Sequence, residues 1–193
     1  VDPSGSDSAM LDNALEFLLY SGMDLPKAVM LTIPEPWSQN RDMPRAIQDM
    51  YHYYATMMEP WDGPAAILFS DGDVVGACLD RNGLRPIRYY LTDDGTVILA
   101  SEVGVLDLPP EKIVRKSRLG PGKMLLLDTR TGQVREDEAI KSGYAAAHPY
   151  GEWLDRSLVR LRDLPSPNRK VPHNSQALRD KLYQVFGYTY EDI

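Results

Sequence analysis

One cysteine, three histidines and a charged run around an Asn-Gly pair are the parts of this 193-residue chain with chemistry to offer. Cys78 is the sole thiol, and it stands inside the apolar run Val74-Val75-Gly76-Ala77-Cys78-Leu79. A thiol in apolar company has a raised pKa and is a poor nucleophile, so Cys78 reads as a small core residue. His52, His148 and His173 are widely spaced and fall in different predicted elements, which gives a Cys-His or Ser-His-Asp arrangement no support. His52 has no second His, Cys or carboxylate at a ligand spacing, and no metal site is assigned anywhere in the chain. Carboxylates are plentiful, but no pair is better placed than chance for acid–base work. Asp7 stands apart because it lies where a helix begins, and a carboxylate there is stabilised and stays ionised. It can cap the helix, or it can offer a fixed anion to the ammonium group of a ligand. The residue types leave both uses open.

The second concentration of charge is Asp80, Arg81, Arg85 and Arg88, four side chains in nine positions around Asn82-Gly83. Their plain reading is a solvated hairpin end with an internal ion pair. Gly120-Pro121-Gly122 is a weak phosphate-loop candidate. It lacks the strand-loop-helix order that aims backbone amides at an anion, and it reads as a turn.

These residues need elements to hold them. Leu11, Ala14, Leu15, Leu18 and Leu19 form one apolar stripe, preceded by the capping candidates Ser6, Asp7 and Ser8 and closed by Gly22. A short helix is predicted over Leu25 to Leu31 with Pro26 in its first turn, ended by Ile33-Pro34-Glu35-Pro36-Trp37. A longer one runs from Pro44 to about Met58. The period then changes. Ala65–Ser70, Val74–Leu79, Ile87–Leu91 and Thr96–Ser101 read as four strands of an antiparallel meander joined by Asp-Gly and Asn-Gly turns, with Asn82-Gly83 as the strongest hairpin signal. Ile67-Leu68-Phe69 and Val97-Ile98-Leu99 are apolar on both faces, which predicts a sheet covered on each side. Ile113–Leu119 and Lys123–Asp128 are further strands, and Thr131-Gly132 turns the latter into a hairpin with Gln133–Arg135. After Asp137 the pattern is helical, with Trp153, Leu154, Leu158 and Leu161 as packing contacts. Residues 162–176 read as a linker, and Ala177–Phe186 as a last helix. The fold class is α+β with antiparallel sheets.

Composition narrows the function classes. The hydrophobic fraction of 43% and charged fraction of 25% are those of an ordinary globular protein. A net charge of -7 argues against nucleic acid, whose binding relies on clustered Lys and Arg. No run of about 18 apolar residues is present to span a membrane. One cysteine excludes an internal disulfide and suits a reducing compartment. The opening Val-Asp-Pro-Ser-Gly-Ser-Asp-Ser has neither a basic nor an apolar segment, and reads as an internal stretch of a longer protein.

Several motifs together resemble the glutaminase domain of the glutamate synthase family. They are Gly5-Ser6-Asp7-Ser8-Ala9, Leu11-Asp12-Asn13, Ile33-Pro34-Glu35-Pro36-Trp37, Trp61-Asp62-Gly63-Pro64-Ala65, Leu79-Asp80-Arg81-Asn82-Gly83-Leu84-Arg85-Pro86, Ala100-Ser101-Glu102-Val103-Gly104 and Gly120-Pro121-Gly122-Lys123-Met124. They keep order and spacing from about Ser4 to Asp128. Phe186-Gly187-Tyr188-Thr189-Tyr190-Glu191-Asp192 resembles the opening of that family's central domain. The implied organisation is residues 1–161 as the C-terminal part of a class II glutamine amidotransferase domain, 162–176 as linker and 177–193 as the start of the central domain.

The resemblance implies an N-terminal nucleophile fold, a four-layer αββα sandwich of antiparallel sheets. It also implies chemistry. A cysteine heading the mature chain attacks the glutamine amide, its own α-amine acts as base and an Asn-Gly pair forms the oxyanion hole. An arginine holds the glutamine carboxylate and an aspartate holds its ammonium. The ammonia passes to 2-oxoglutarate at an FMN site in a later domain, with electrons from an iron–sulfur cluster that is fed by a small electron-transferring subunit or by ferredoxin. Carried over residue by residue, only the aspartate has a counterpart here, Asp7 in Ser6-Asp7-Ser8. Val1 is not a cysteine, and Asn82-Gly83 is not the oxyanion pair. The expectation is therefore a glutamine-binding part of a larger cytoplasmic or plastid enzyme, inactive alone and holding no cofactor or metal itself. The competing expectation is a stand-alone binding or scaffold module of the same fold.

Overall fold

The computed structural model describes residues 4–165 and 173–189. Residues 166–172 of the anticipated linker, and Tyr190, Glu191 and Asp192 of the last motif, lie outside the described residues. The chain divides into two compact units, residues 1–158 and 159–193. In the second, α6 (Gln176–Phe186) is capped at its start by the Ser175 hydroxyl, which accepts from the Leu178 N–H. It ends on Gly187 in the left-handed region, a conformation glycine adopts without steric cost.

The first unit begins with three helices, α1 (Asp7–Tyr20), α2 (Leu25–Thr32) and α3 (Arg45–Ala55). α3 stops three residues short of the predicted Met58, because the chain turns at Thr56-Met57 toward Pro60. The strands are β1 (Ala66–Ser70), β2 (Val74–Leu79), β3 (Arg88–Thr92), β4 (Val97–Ala100), β5 (Ile113–Arg118), β6 (Met124–Asp128) and β7 (Val134–Glu136), and α4 (Asp137–Ala146) and α5 (Tyr150–Ser157) follow. The class is α+β with antiparallel sheets.

The pairing differs from the anticipated meander. There are two antiparallel sheets among the described residues, one in the order β1-β2-β6-β7 and one in the order β4-β3-β5. The Asp71-Gly72-Asp73, Asp93-Asp94-Gly95 and Thr131-Gly132 turns close hairpins as their sequences predict. Asn82-Gly83 does not. β2 is already paired on both edges, with β1 and β6, so the segment after it leaves for the other sheet. A residue pair suited to a hairpin has been used for a crossing between sheets.

Both apolar strand runs are also less covered than expected. Leu68 is 57% exposed, and all four residues of β4 are only half-buried. Leu161, anticipated as a packing contact, is 86% exposed, and on α1 only Leu11 and Leu15 of the apolar stripe are buried. The main core lies where α2 and α3 meet β2 and β6, around Val29, Met30, Met50, Tyr51, Cys78 and Met124. Each such side chain withdrawn from water contributes about 1.5–3 kcal/mol, which is what anchors the helices to the sheet.

Candidate functional site

α1 begins at a cap that its sequence supplies. The Ser6 hydroxyl accepts a hydrogen bond from the Ala9 N–H at 3.3 Å, so the cap is Ser6 and Asp7 is the first helical residue. This settles half of the ambiguity left by the sequence. Asp7 is not spent on capping, and it makes no hydrogen bond or ion pair among the described residues. Its exposed carboxylate sits in the first turn, where the helix end favours negative charge.

Asp7 faces an open groove of about 550 Å³, lined also by Ser6, Ser8, Leu11, Ile33, residues 61–67 and Arg85. The wall from Trp61 to Ile67 is pinned at two points. The Trp61 N–H donates to the Thr32 carbonyl at 2.7 Å, fixing it to the end of α2. The Ala65 N–H donates to Asp80 Oδ2 at 3.0 Å, and the Asp80 N–H returns a bond to the Ala65 carbonyl at 3.0 Å.

Asp80 is the hub of this region. It is buried, and its Oδ1 accepts from the Asn82 and Gly83 N–H groups at 2.9 and 3.0 Å. Its carbonyl accepts from the Gly122 N–H at 2.8 Å. A buried carboxylate is tolerated only when its lone pairs are filled, and three amides fill them here. Gly83 has φ +62, and a Cβ there would lie 2.8 Å from Pro121 Cγ. The charged run is thus a brace between β2 and the 120–122 turn. Its ion pair is Arg81 with Asp62 at 2.7 Å, on the surface.

Behind that turn lies a cluster that sequence reasoning missed. Lys141, buried on α4, pairs with Glu35 and with Asp137 Oδ1 at 2.6 Å, and donates to the Gly122 carbonyl at 2.9 Å. Lys123 reaches Glu35 Oε2 at 3.1 Å and Asp137 Oδ2 at 2.9 Å, and the Met124 N–H donates to Asp137 Oδ1 at 3.0 Å. Two cations and two anions balance. Burial works to lower the Lys123 pKa, and the bonds to Asp137 and Glu35 more than reverse it. Gly122 has φ +64, and a Cβ there would lie 2.6 Å from Glu35 Cβ, so only glycine lets the turn close on the cluster.

Cys78 lies beside this network and is 2% exposed. Burial, partly offset by Lys141, pushes its thiol up to about 12, which makes it inert as a nucleophile at neutral pH. Tyr51 is pushed up for the same reason, and its hydroxyl finds no partner among the described residues. His52 stacks on Trp37 at 5.6 Å and His148 on Trp153 at 5.4 Å, so both act as packing groups.

No group of three or more His, Cys, Asp or Glu side chains that could hold a metal occurs among the described residues. An iron–sulfur cluster needs several thiolates, and this chain has one, buried; it does not fit as a cluster ligand set. Nor does the Gly120–Gly122 turn fit a flavin phosphate, since the Gly122 N–H is spent on Asp80 and the turn is closed over Glu35.

Comparison with known proteins places these features in a family. Residues 1–153 match the family model described as class-II glutamine amidotransferases. The NADPH glutamate synthase large chain of Bacillus subtilis is 45% identical over 193 residues. The chloroplastic ferredoxin-dependent glutamate synthase of Oryza sativa is 46% identical over 196 residues, and the NADH glutamate synthase of Schizosaccharomyces pombe is 42% identical over 202. In each case the whole of this chain is covered, but only 12%, 12% and 10% of the relative. The chain thus spans about an eighth of the length of the first of these relatives.

Proposed function

The chain belongs to the class II glutamine amidotransferases, and from that premise we propose that it supplies the ammonium-binding face of a glutamine site within a glutamate synthase large chain. The observation that carries this reading is Asp7. It is the one acidic residue of the matched motifs whose charge is presented to the groove with no partner among the described residues, Asp62 being paired with Arg81. A capped helix start holds its backbone, and the Trp61–Ile67 wall faces it. An α-ammonium placed there gains a charge-assisted hydrogen bond, and the adjacent hydroxyls of Ser6 and Ser8 line the same groove.

In this reading, glutamine is bound here for hydrolysis to glutamate and ammonia by a cysteine that is not Cys78, and the ammonia goes on to 2-oxoglutarate. This chain's own residues bind and orient; they do not attack. The two antiparallel sheets would be part of a four-layer αββα sandwich, with residues 1–161 inside it, 162–176 as linker and 177–193 opening the next domain. FMN and an iron–sulfur cluster would supply the reductive chemistry of the whole enzyme. Their ligands would come from other parts of it, together with an electron-transferring subunit or ferredoxin.

The test is Asp7→Ala in the full-length protein. Glutamine-dependent glutamate formation should lose affinity by the value of a charged hydrogen bond, about 1.5–3 kcal/mol, while ammonia-dependent formation persists. Unchanged glutamine saturation would remove Asp7 from the site.

A further inference from the structure

The two faces of the β4-β3-β5 sheet carry their charge differently. The register places Arg88 directly opposite Arg118 and Tyr90 opposite Lys116. Side chains alternate along a strand, so Arg88, Lys116 and Arg118 stand on one face with Tyr90, while Tyr89 and Arg115 stand on the other. On that other face the charge is settled. Arg115 pairs with Glu136 at 2.6 Å and lies over the ring of the buried Tyr89 at 5.6 Å. On the first face Arg88, Lys116 and Arg118 are exposed, and none makes a hydrogen bond or ion pair among the described residues. Beside them the register sets Ile98 and Ala100 of β4, which with Tyr90 form a half-buried apolar strip.

Two cations directly opposite each other on paired strands repel, which destabilises the sheet. Cations on an edge strand can guard it against stray pairing. That accounts for Lys116 and Arg118 on β5, but β3 is the central strand of the three, and Arg88 guards no edge. A chain with net charge -7 thus gathers three cations and gives them no carboxylate from its described residues.

We infer that this face of β3 and β5 docks an acidic segment from another domain of a longer chain, with carboxylates against Arg88, Lys116 and Arg118 and an apolar side chain over Tyr90 and Ile98. The relatives are far longer than this chain, which covers 12% of two of them and 10% of a third, so counter-charges have ample source within one such protein. Contacts between domains of one chain are more polar than permanent interfaces, which suits three charges around a small apolar strip. The inference rests on the placement of this chain within a glutamate synthase large chain, and not on Asp7 or on glutamine.

The test is cross-linking of the full-length protein with a carbodiimide, which joins an amine only to a carboxylate that touches it, followed by mass mapping of the joined peptides. Lys116 should be joined to an Asp or Glu outside residues 1–193. In a mixture of isotope-labelled and unlabelled protein, the two joined peptides should carry the same label, which marks a link within one chain. Arg88→Gln with Arg118→Gln removes two of the three cations and should lower the yield of the link severalfold. Raising the salt should do the same, because it screens exposed charges. The salt series uses the wild-type protein, so it stands even if the double variant folds poorly. Arg115→Gln, on the opposite face, should leave the link in place. The inference is overturned if Lys116 stays unlinked, or is linked only within residues 1–193, to a second copy or to another protein. A link that neither salt nor the double substitution weakens, or that Arg115→Gln removes as well, overturns it too. Each of these results leaves the glutamine reading of the groove standing, because no step involves Asp7.

Discussion

Four charged side chains meet behind Gly122 and three face the groove beside Asp7, and the fold treats the two groups in opposite ways. Behind Gly122 every charge has a partner of opposite sign, and Lys141, at its centre, is 3% exposed. In the groove two of the three charges are left without one. The first arrangement costs stability whenever a member is lost. The second costs the fold little and, on the proposed reading, leaves its electrostatics for something that binds. Asp80 joins the regions, because it bonds the turn of the first through Gly122 and the wall of the second through Ala65. A protein can therefore carry conspicuous charged clusters whose work is architectural, and on the proposed reading the charge offered to a ligand is one left unsatisfied.

Substitutions can break or sharpen this contrast. The largest effect is expected from Glu35→Ala or Lys141→Ala, each of which strands a buried charge and should lower unfolding free energy by about 3–5 kcal/mol in chemical denaturation. Replacing both by apolar residues of similar size should cost less than either single change, and equal or greater loss would argue against a simple buried pair. Next comes Gly122→Ala. It forces a side chain into the left-handed region and against Glu35, so a loss of about 1–3 kcal/mol or more is expected, with a lowered melting temperature as the readout.

On the groove side, effects on folding should be small. Ser6→Ala removes the α1 cap and should cost about 1 kcal/mol, because the cap positions Asp7 but is not itself buried. Smallest is Arg81→Ala, at a surface pair with Asp62, where stability should move by no more than about 0.5 kcal/mol. A large loss there would mean that the pair closes the groove wall rather than decorating it.

The elements were legible in the sequence because their signals are local. Ser6 and Gly187 mark helix ends, Asp71-Gly72, Asp94-Gly95 and Thr131-Gly132 mark hairpins, and the apolar periods give the strands and helices. Pairing was not legible where it depended on competition. Asn82-Gly83 has hairpin chemistry, but β6, arriving more than forty residues later, occupies the β2 edge that a hairpin would use. The Glu35–Lys141 pair joins residues 106 apart, and no local pattern announces it. One signal was available: Lys141 follows the core residue Ile140 and precedes Ala145, so a lysine falls on the inward stripe of an amphipathic helix. Within the site, Asp7 stood out by its place at a helix start. The charged run could not be sorted from sequence: the fold braces Asp80, pairs Arg81 with Asp62 and leaves Arg85 on the groove wall.

The account depends most on Asp7 being a ligand group rather than a fixture of α1. L-glutamine binding to the full-length protein, measured by titration calorimetry alongside the unfolding midpoint for wild type and Asp7→Ala, tests this directly. The account predicts a dissociation constant about ten- to a hundredfold weaker with almost the same midpoint. An unchanged dissociation constant, or a loss of binding that only follows a collapse in stability, would contradict it.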